Sequence, residues 1–159
     1  MVTEDTITAK KIWNILETVC DPEIPVLTIC DLGIVRDVVI GEKIEVIITP
    51  TYTGCPAMDM ISMNIKLAML EHGFTGVVIT AVLSPAWTTE WMTEAGKQKL
   101  KAYGIAAPNP GFVIPQDGIE CPQCNSTNTT LLSEFGSTAC KALYQCKDCM
   151  EPFDYFKCH

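Results

Sequence analysis

The sequence predicts an α+β/α/β chain of two layers: a small mixed sheet, made of a β-hairpin plus a third strand, is packed by helices and followed by a small cysteine-organised module. Three observations carry this. Residues 34–40 and 43–49 are two runs rich in valine and isoleucine around Gly41-Glu42, the pattern of a hairpin. The second run leads through a turn into a long helical pattern at 57–72, and a third apolar run follows at 76–83. Strand, helix and strand in that order make an α/β unit. Near the C-terminus stand two C-x-x-C pairs, Cys121 with Cys124 and Cys146 with Cys149.

Composition sets the outer limits. The chain has 159 residues, 48% of them apolar, enough for one full domain and a small module. Its net charge is −8 and Arg36 is its single arginine, so neither nucleic acid nor an anionic membrane finds the basic footprint it needs. Residues 1–5 are polar and acidic, and no apolar run reaches about 18 residues. The expected setting is therefore the reducing cytoplasm. There, nine cysteines point to metal or thiol chemistry rather than disulfides.

Taken in order, Ile12, Ile15, Leu16 and Val19 follow i, i+3, i+4, i+7 spacing and predict a helix over 8–19 with one buried stripe. Asp21-Pro22 stops it, because the residue before proline avoids the helical region. The stiff turn Asp21-Pro22-Glu23-Ile24-Pro25 presents two carboxylates, which either just end the helix or face a site. Gly41-Glu42 suits a two-residue type II′ loop with glycine first. The second strand runs into Thr49-Pro50-Thr51-Tyr52-Thr53-Gly54-Cys55-Pro56. Pro56 suits the first helical position and makes Cys55 the N-cap. A thiol there meets unpaired N–H groups and the positive end of the helix dipole, which favour thiolate. The alternative is a plain buried cysteine at a strand–helix corner.

In the 57–72 helix Met58, Ile61, Ile65 and Met69 form one apolar stripe, and Met60, Met63, Leu67 and Leu70 form a second on roughly the opposite side. One stripe lies on the sheet; the other needs a covering helix or module, a partner, or a second copy of the chain. His72 and Gly73 make an ordinary helix end with His72 on the surface. The run at 76–83 reads as a central strand. Trp87 follows it, as a packing residue or, at a strand's C-terminal end, a binding group. Thr88 or Thr89 caps a helix running to Tyr103. The proline-rich stretch 105–115 is the expected linker, dividing a domain over 1–104 from a module over 116–159.

Two C-x-x-C turns can supply a tetrahedral four-thiolate site, and a module of about 40 residues needs a metal in place of the core it lacks. The expected arrangement is a zinc ribbon with structural zinc on Cys121, Cys124, Cys146 and Cys149, a rubredoxin-like iron being the alternative. Cys140 and Cys158 are possible extra ligands, and Cys20 and Cys30 read as small apolar filler. From residue 116 onward three lysines face six acids, the wrong sign for phosphate binding. Phe153, Tyr155 and Phe156 form the module's small core or a contact patch. No phosphate loop, dinucleotide fingerprint or G-x-S-x-G elbow is present. Cys55 and nearby carboxylates fit transient metal or cluster binding better than turnover of an organic substrate, so the chain is expected not to be catalytic itself.

Asp21-Pro22-Glu23-Ile24-Pro25, Asp31-Leu32-Gly33-Ile34-Val35 and the stretch at 49–56 together resemble the SufT-like family of iron–sulfur assembly factors over roughly the first hundred residues. The tail stretches at 135–141 and 151–158 resemble the PaaD (PaaJ) type of accessory subunit found with phenylacetyl-CoA epoxidase. The resemblance implies a cytoplasmic protein of aerobic phenylacetate breakdown that helps mature or repair the epoxidase's metal centres. It implies that Cys55, with Asp21 and Glu23, carries iron or an Fe–S cluster transiently, and that the four ribbon cysteines hold zinc. Its expected partners are epoxidase components or Fe–S assembly proteins. The Met60/Met63/Leu67/Leu70 face adds a possible homo-oligomer. The alternative function is a stable, non-catalytic structural or regulatory subunit of the multicomponent oxygenase.

Overall fold

The computed structural model describes residues 4–108 and 118–157, with side chains from residue 8 onward. The chain forms two compact units, Met1–Trp87 and Thr88–His159.

In the first unit, α1 (Glu4–Leu16) buries Ile12, Ile15 and Leu16. It stops three residues short of the predicted end. Thr18 and Val19 instead close tight turns onto Ile15 and Leu16, at 3.0 and 3.1 Å, and Val19 stays buried. Cys20 then bridges Thr28 in antiparallel fashion, which draws the chain out of the helix before Pro22 is reached. The connector to the sheet is itself core: Ile24, Leu27, Ile29, Leu32 and Ile34 are all buried. No period of 3.6 or 2 marks these positions, so periodicity could not find them.

Strands β1 (Val35–Ile40) and β2 (Ile44–Ile48) form the expected antiparallel hairpin. Its loop differs from expectation. Ile40 pairs with Ile44, leaving three residues in the loop, and Gly41 is absent from the positive-φ glycines that a type II′ turn would require. Strand β3 (Val78–Ala81) pairs parallel with β2, giving the order β1-β2-β3. The central strand is thus β2, and β3 is an edge with Val78 exposed. Its apolar composition reflects the half-buried face it offers the core, which composition cannot tell from full burial.

Helix α2 (Ala57–Glu71) buries Ala57, Ile61, Ile65 and Met69. The second stripe, Met60, Met63, Leu67 and Leu70, is exposed by 51–60% at each position. The helix ends as predicted: Gly73 at φ 85° returns its N–H to Leu70, and His72 Nδ1 lies 2.8 Å from the Ala68 carbonyl on the surface. Against α2 and β1 lies α1.

The second unit opens with a 3-10 turn, Thr89–Trp91, and then α3 (Glu94–Ala102). The sequence predicts one continuous helix to Tyr103. Two caps divide it: Thr88 accepts from Glu90, and Thr93 Oγ1 accepts from Gly96 N–H at 3.0 Å with Met92 extended between them. A sheet of order β4-β7-β6-β5 follows. It comprises β4 (Ile105–Ala106), β5 (Thr129–Ser133), β6 (Lys141–Cys146) and β7 (Pro152–Phe156). Because β4 pairs parallel with β7, residues expected to begin a linker are sheet, and the division between units falls at Trp87/Thr88 rather than in 105–115. The rest of that stretch, 109–115, lies outside the described residues. Ala106, Ile119, Ala142, Tyr144, Phe153 and Tyr155 form the core of this unit with Cys121 and Cys146. Tyr144 stacks on Phe153 at 6.0 Å and meets Tyr155 edge-on at 5.8 Å, so the aromatic cluster is core.

The two faces of α2 give opposite expectations. Ile65→Ala costs about 2–5 kcal/mol through the cavity it leaves, while Met63→Ala stays within about 0.5 kcal/mol. Urea denaturation of the two variants checks the register.

Candidate functional site

The four cysteines of the two C-x-x-C pairs converge. The Sγ atoms of Cys121, Cys124, Cys146 and Cys149 all lie within 4.8 Å of one another. Cys121 faces Cys149 at 3.7 Å and Cys124 faces Cys146 at 3.6 Å. A tetrahedral site with metal–sulfur bonds of about 2.3 Å has sulfur–sulfur edges of about 3.8 Å, so the spacing fits a four-thiolate metal centre. Each pair sits on a turn that reverses through a left-handed residue, Asn125 at φ 62° and Met150 at φ 65°. The Asn125 and Gln123 N–H groups return to Cys121 carbonyl and sulfur, at 2.9 and 3.4 Å. Backbone N–H groups of Cys149 and Asp148, with that of Cys149 the stronger influence, hold the Cys146 thiol down to about 7 against desolvation. Cys149 is pushed up to about 12: the Glu151 N–H lowers it, but burial and the neighbouring sulfurs of Cys124, Cys146 and Cys121 outweigh that. Four crowded thiols resist a full set of negative charges, and a bound cation reverses that balance.

Asp148 ties the two knuckles together. It accepts from the Ser126 hydroxyl and from Asn128 Nδ2 at 2.8 Å, while Lys147 N–H reaches the Asn128 carbonyl at 2.8 Å. Sequence reasoning missed this clasp; its only trace was an Asp inside one C-x-x-C and a Ser/Asn pair shortly after the other. Cys140 does not join the four-cysteine group. It is buried, with Thr138 Oγ1 at 3.0 Å. Cys158 lies outside the described residues. The 135–141 stretch instead folds over β7: the buried Lys141 donates to Ser137 Oγ at 3.2 Å, and Ser137 Oγ lies 3.4 Å from Asp154. A Cβ at Gly136 would stand 2.5 Å from Asp154 Oδ1 and 3.3 Å from Lys141 Cβ, so a larger residue there displaces the Asp154 carboxylate.

In the first unit, Cys55 occupies the turn between β2 and α2. Its N–H meets the Tyr52 carbonyl at 3.3 Å, with Gly54 at φ 78° in the position where such a turn needs positive φ. Cys55 is half-buried. Pro56, not Cys55, stands at the helix cap, with φ −68° and ψ −20°, and no side chain caps it. The proline ring fixes a helical φ, so the hydrogen-bonded turns start after it, and Cys55 contributes its carbonyl to Met58 N–H at 3.2 Å. At the root of the turn, the hydroxyl of Thr49 is the buried side-chain oxygen without a partner among the described residues.

Asp21 is placed differently from the expected ligand. It is buried, and its Oδ1 accepts the N–H groups of Glu23 and Ile24 at 2.8 and 2.9 Å, which builds the turn. Cys55, Asp21 and Glu23 do not form a group of ligand atoms within 4.8 Å. With Cys20, Pro22, Asn64, Leu67 and Glu71, Asp21 instead lines an open groove of about 440 Å³. Glu23 is half-buried. The second acidic motif is also structural, Asp31 Oδ2 accepting Thr28 N–H at 3.1 Å. Trp87 is a packing residue: it is buried and its Nε1–H donates to the Leu32 carbonyl at 2.8 Å. Cys20 is exposed, contrary to a filler role, while Cys30 is half-buried and its thiol is pushed up to about 12 by desolvation first and then by Glu17 and Asp31.

Comparison with known proteins matches both units. The profile described as PaaD zinc beta ribbon domain covers residues 108–157, and that described as iron-sulfur cluster assembly protein covers residues 9–78. A protein of Escherichia coli K12 named as a component of 1,2-phenylacetyl-CoA epoxidase is 52% identical over 152 residues, covering 93% of this chain and 92% of that one. The chain belongs to the PaaD family. A second relative of this PaaD-family chain, the Fe-S protein maturation auxiliary factor of Porphyromonas gingivalis W83, is 35% identical over 96 residues, 58% of this chain and 90% of that one. Among solved structures, the DUF59 domain from Bacillus anthracis matches with a TM-score of 0.56 at 28% identity, covering 59% of this chain and 92% of that one. The shared α/β domain therefore carries, in the PaaD family, an added ribbon. Among the described residues no helix is long and apolar enough to cross a membrane.

Two measurements check the acid and thiol assignments. Asp21→Ala leaves two turn N–H groups without their acceptor and costs about 1–3 kcal/mol in urea unfolding. In iodoacetamide labelling followed by mass spectrometry, Cys20 reacts well before Cys30. Because the folded thiol of Cys30 ionises only near about 12 rather than 9.0, the unfolded chain loses this proton first, and stability falls as pH rises above the ordinary cysteine value. Cys30→Ala flattens that decline.

Proposed function

We propose that the chain is an accessory or maturation protein of the phenylacetyl-CoA epoxidase system, holding or delivering iron or an Fe–S cluster through Cys55. One observation carries the reading: the half-buried thiol of Cys55 stands on the turn that leaves the C-terminal end of β2, inside the segment matched by the iron–sulfur assembly profile. The names of the two relatives, an epoxidase component and an Fe–S maturation factor, support the two halves of the statement. One thiol cannot enclose a cluster, so two chains share it or a partner completes it. Asp21 keeps its turn in shape and acts by positioning. Glu23 is the carboxylate assigned to assist Cys55. In the ribbon, Cys121, Cys124, Cys146 and Cys149 hold zinc. A four-thiolate set leaves no open position, so this metal is structural and supplies folding energy to a small core. The setting is the cytoplasm.

Anaerobic reconstitution tests the reading. Wild type takes up iron or cluster beyond its zinc, and Cys55→Ser keeps the zinc and loses the rest. Equal iron uptake by both proteins sinks the assignment. Cys146→Ser loses the zinc instead, and iron in place of zinc in the untreated ribbon overturns the choice of metal. The second reading, a stable non-catalytic subunit of the oxygenase, is favoured by the exposed apolar stripe of α2. It predicts co-purification with the epoxidase at fixed stoichiometry, unaffected by Cys55→Ser.

A further inference from the structure

Helix α2 has one apolar face too many. Met60, Met63, Leu67 and Leu70 are each more than half exposed, although an ordinary surface helix has a single apolar stripe and turns it to the core. The stripe does not stand alone. Leu67 also lines the groove of about 440 Å³ between α2 and the turn after α1. Apolar face and groove are therefore one continuous surface. The groove is acidic: Asp21 and Glu71 both line it, and neither a lysine nor an arginine does. Pro22 and Pro25 stiffen its far wall. On α2, Asn64, Ala68 and Glu71 flank the stripe on the groove side, whereas Lys66 lies towards the other flank.

We propose that this surface docks an amphipathic basic helix of a partner protein. The partner's apolar face would lie along the methionine and leucine stripe, and a lysine or arginine beside it would enter the groove against the exposed carboxylate of Glu71. Methionine side chains are unbranched and adapt to the partner's shape, the helix-in-groove mode of recognition. Charge decides the occupant. A second copy would bring another acidic chain, of net charge −8, with the same Asp21 and Glu71 against this groove, and like charges across an interface are penalised. A basic helix is complementary to both parts of the surface. That the partner is a client for metal delivery rests on the accessory reading above; the docking surface itself does not involve Cys55, so the two stand or fall separately.

The test uses the full chain and a fluorescein-labelled synthetic helix of leucine and lysine, about four turns long, read by fluorescence anisotropy. A second peptide replaces every lysine with glutamate. Wild type binds the basic peptide and not the acidic one, and affinity falls as salt rises. Met63→Gln with Leu67→Gln weakens binding more than tenfold; both residues are exposed, and circular dichroism confirms that the variant folds. Glu71→Gln weakens binding and flattens its salt dependence. Glu134→Gln, the same loss of charge at an exposed residue of the second unit, leaves binding unchanged. No binding by wild type, equal binding of both peptides, or equal losses from Glu71→Gln and Glu134→Gln overturns the proposal. So does a concentration-dependent dimer in sedimentation that the Met63/Leu67 variant abolishes, because the surface then belongs to a second copy. Loss of iron uptake in Cys55→Ser with docking intact leaves the surface standing, and the converse result removes the surface alone.

Discussion

The parallel pairing of β2 with β3 is the constraint on which the first unit depends. Parallel neighbours cannot be joined by a tight turn; the chain must travel back along the sheet before the second strand begins. Helix α2 is that return path, and it accounts for the order β1-β2-β3 despite the antiparallel hairpin at the start. It also fixes where the Cys55 thiol stands. The chain must turn at the C-terminal end of β2, and the residues that make the turn are Tyr52 to Pro56 with Gly54 at positive φ. Open α/β sheets place binding groups beyond the carboxyl ends of their strands, and Cys55 is in that position.

The return helix is inward on Ala57, Ile61, Ile65 and Met69, and the same sheet-crossing geometry leaves its other side to solvent. The buried connector before the hairpin completes the core from the side of α1. In that connector Asp21, Asp31 and the Leu32 carbonyl are spent on the backbone and on Trp87. The acidic motifs of this chain are thus first of all fold-makers. A carboxylate that satisfies turn N–H groups holds the chain in one shape, and that shape forms one wall of the acidic groove.

The second unit solves a different problem. Its core is small, and Cys121 and Cys146 are members of it. The sulfur cluster and the aromatic cluster of Tyr144, Phe153 and Tyr155 therefore share one interior. The Asp148 clasp to Ser126 and Asn128 holds the knuckles in register, the kind of outer support that metal ligands commonly require. The wide interval between the two pairs is occupied by β5, the folded-over stretch at 135–141 and β6. Lys141 lies buried under that stretch against Ser137.

Much of this is legible in the chain itself. The hairpin, the helix with two stripes, the third strand and the two C-x-x-C turns all follow from short-range pattern: period 2, period 3.6 and a turn that must bring two sulfurs together. The errors have two causes. The three-residue hairpin loop and the split before α3 are local, set by the Ile40–Ile44 pair and by the Thr88 and Thr93 caps, where several turns compete for the same few residues. Strand order and the strand at Ile105–Ala106 depend on partners far away in sequence, and local pattern holds no information about which partner is reached. The same holds for the carboxylates. Sequence alone determined that Asp21 and Glu23 flank a rigid turn and that Cys55 precedes a helix. Only the tertiary structure decided that Asp21 closes its own turn and lines a groove with Glu71, because burial and hydrogen bonding are settled by what packs against a residue, not by its neighbours along the chain.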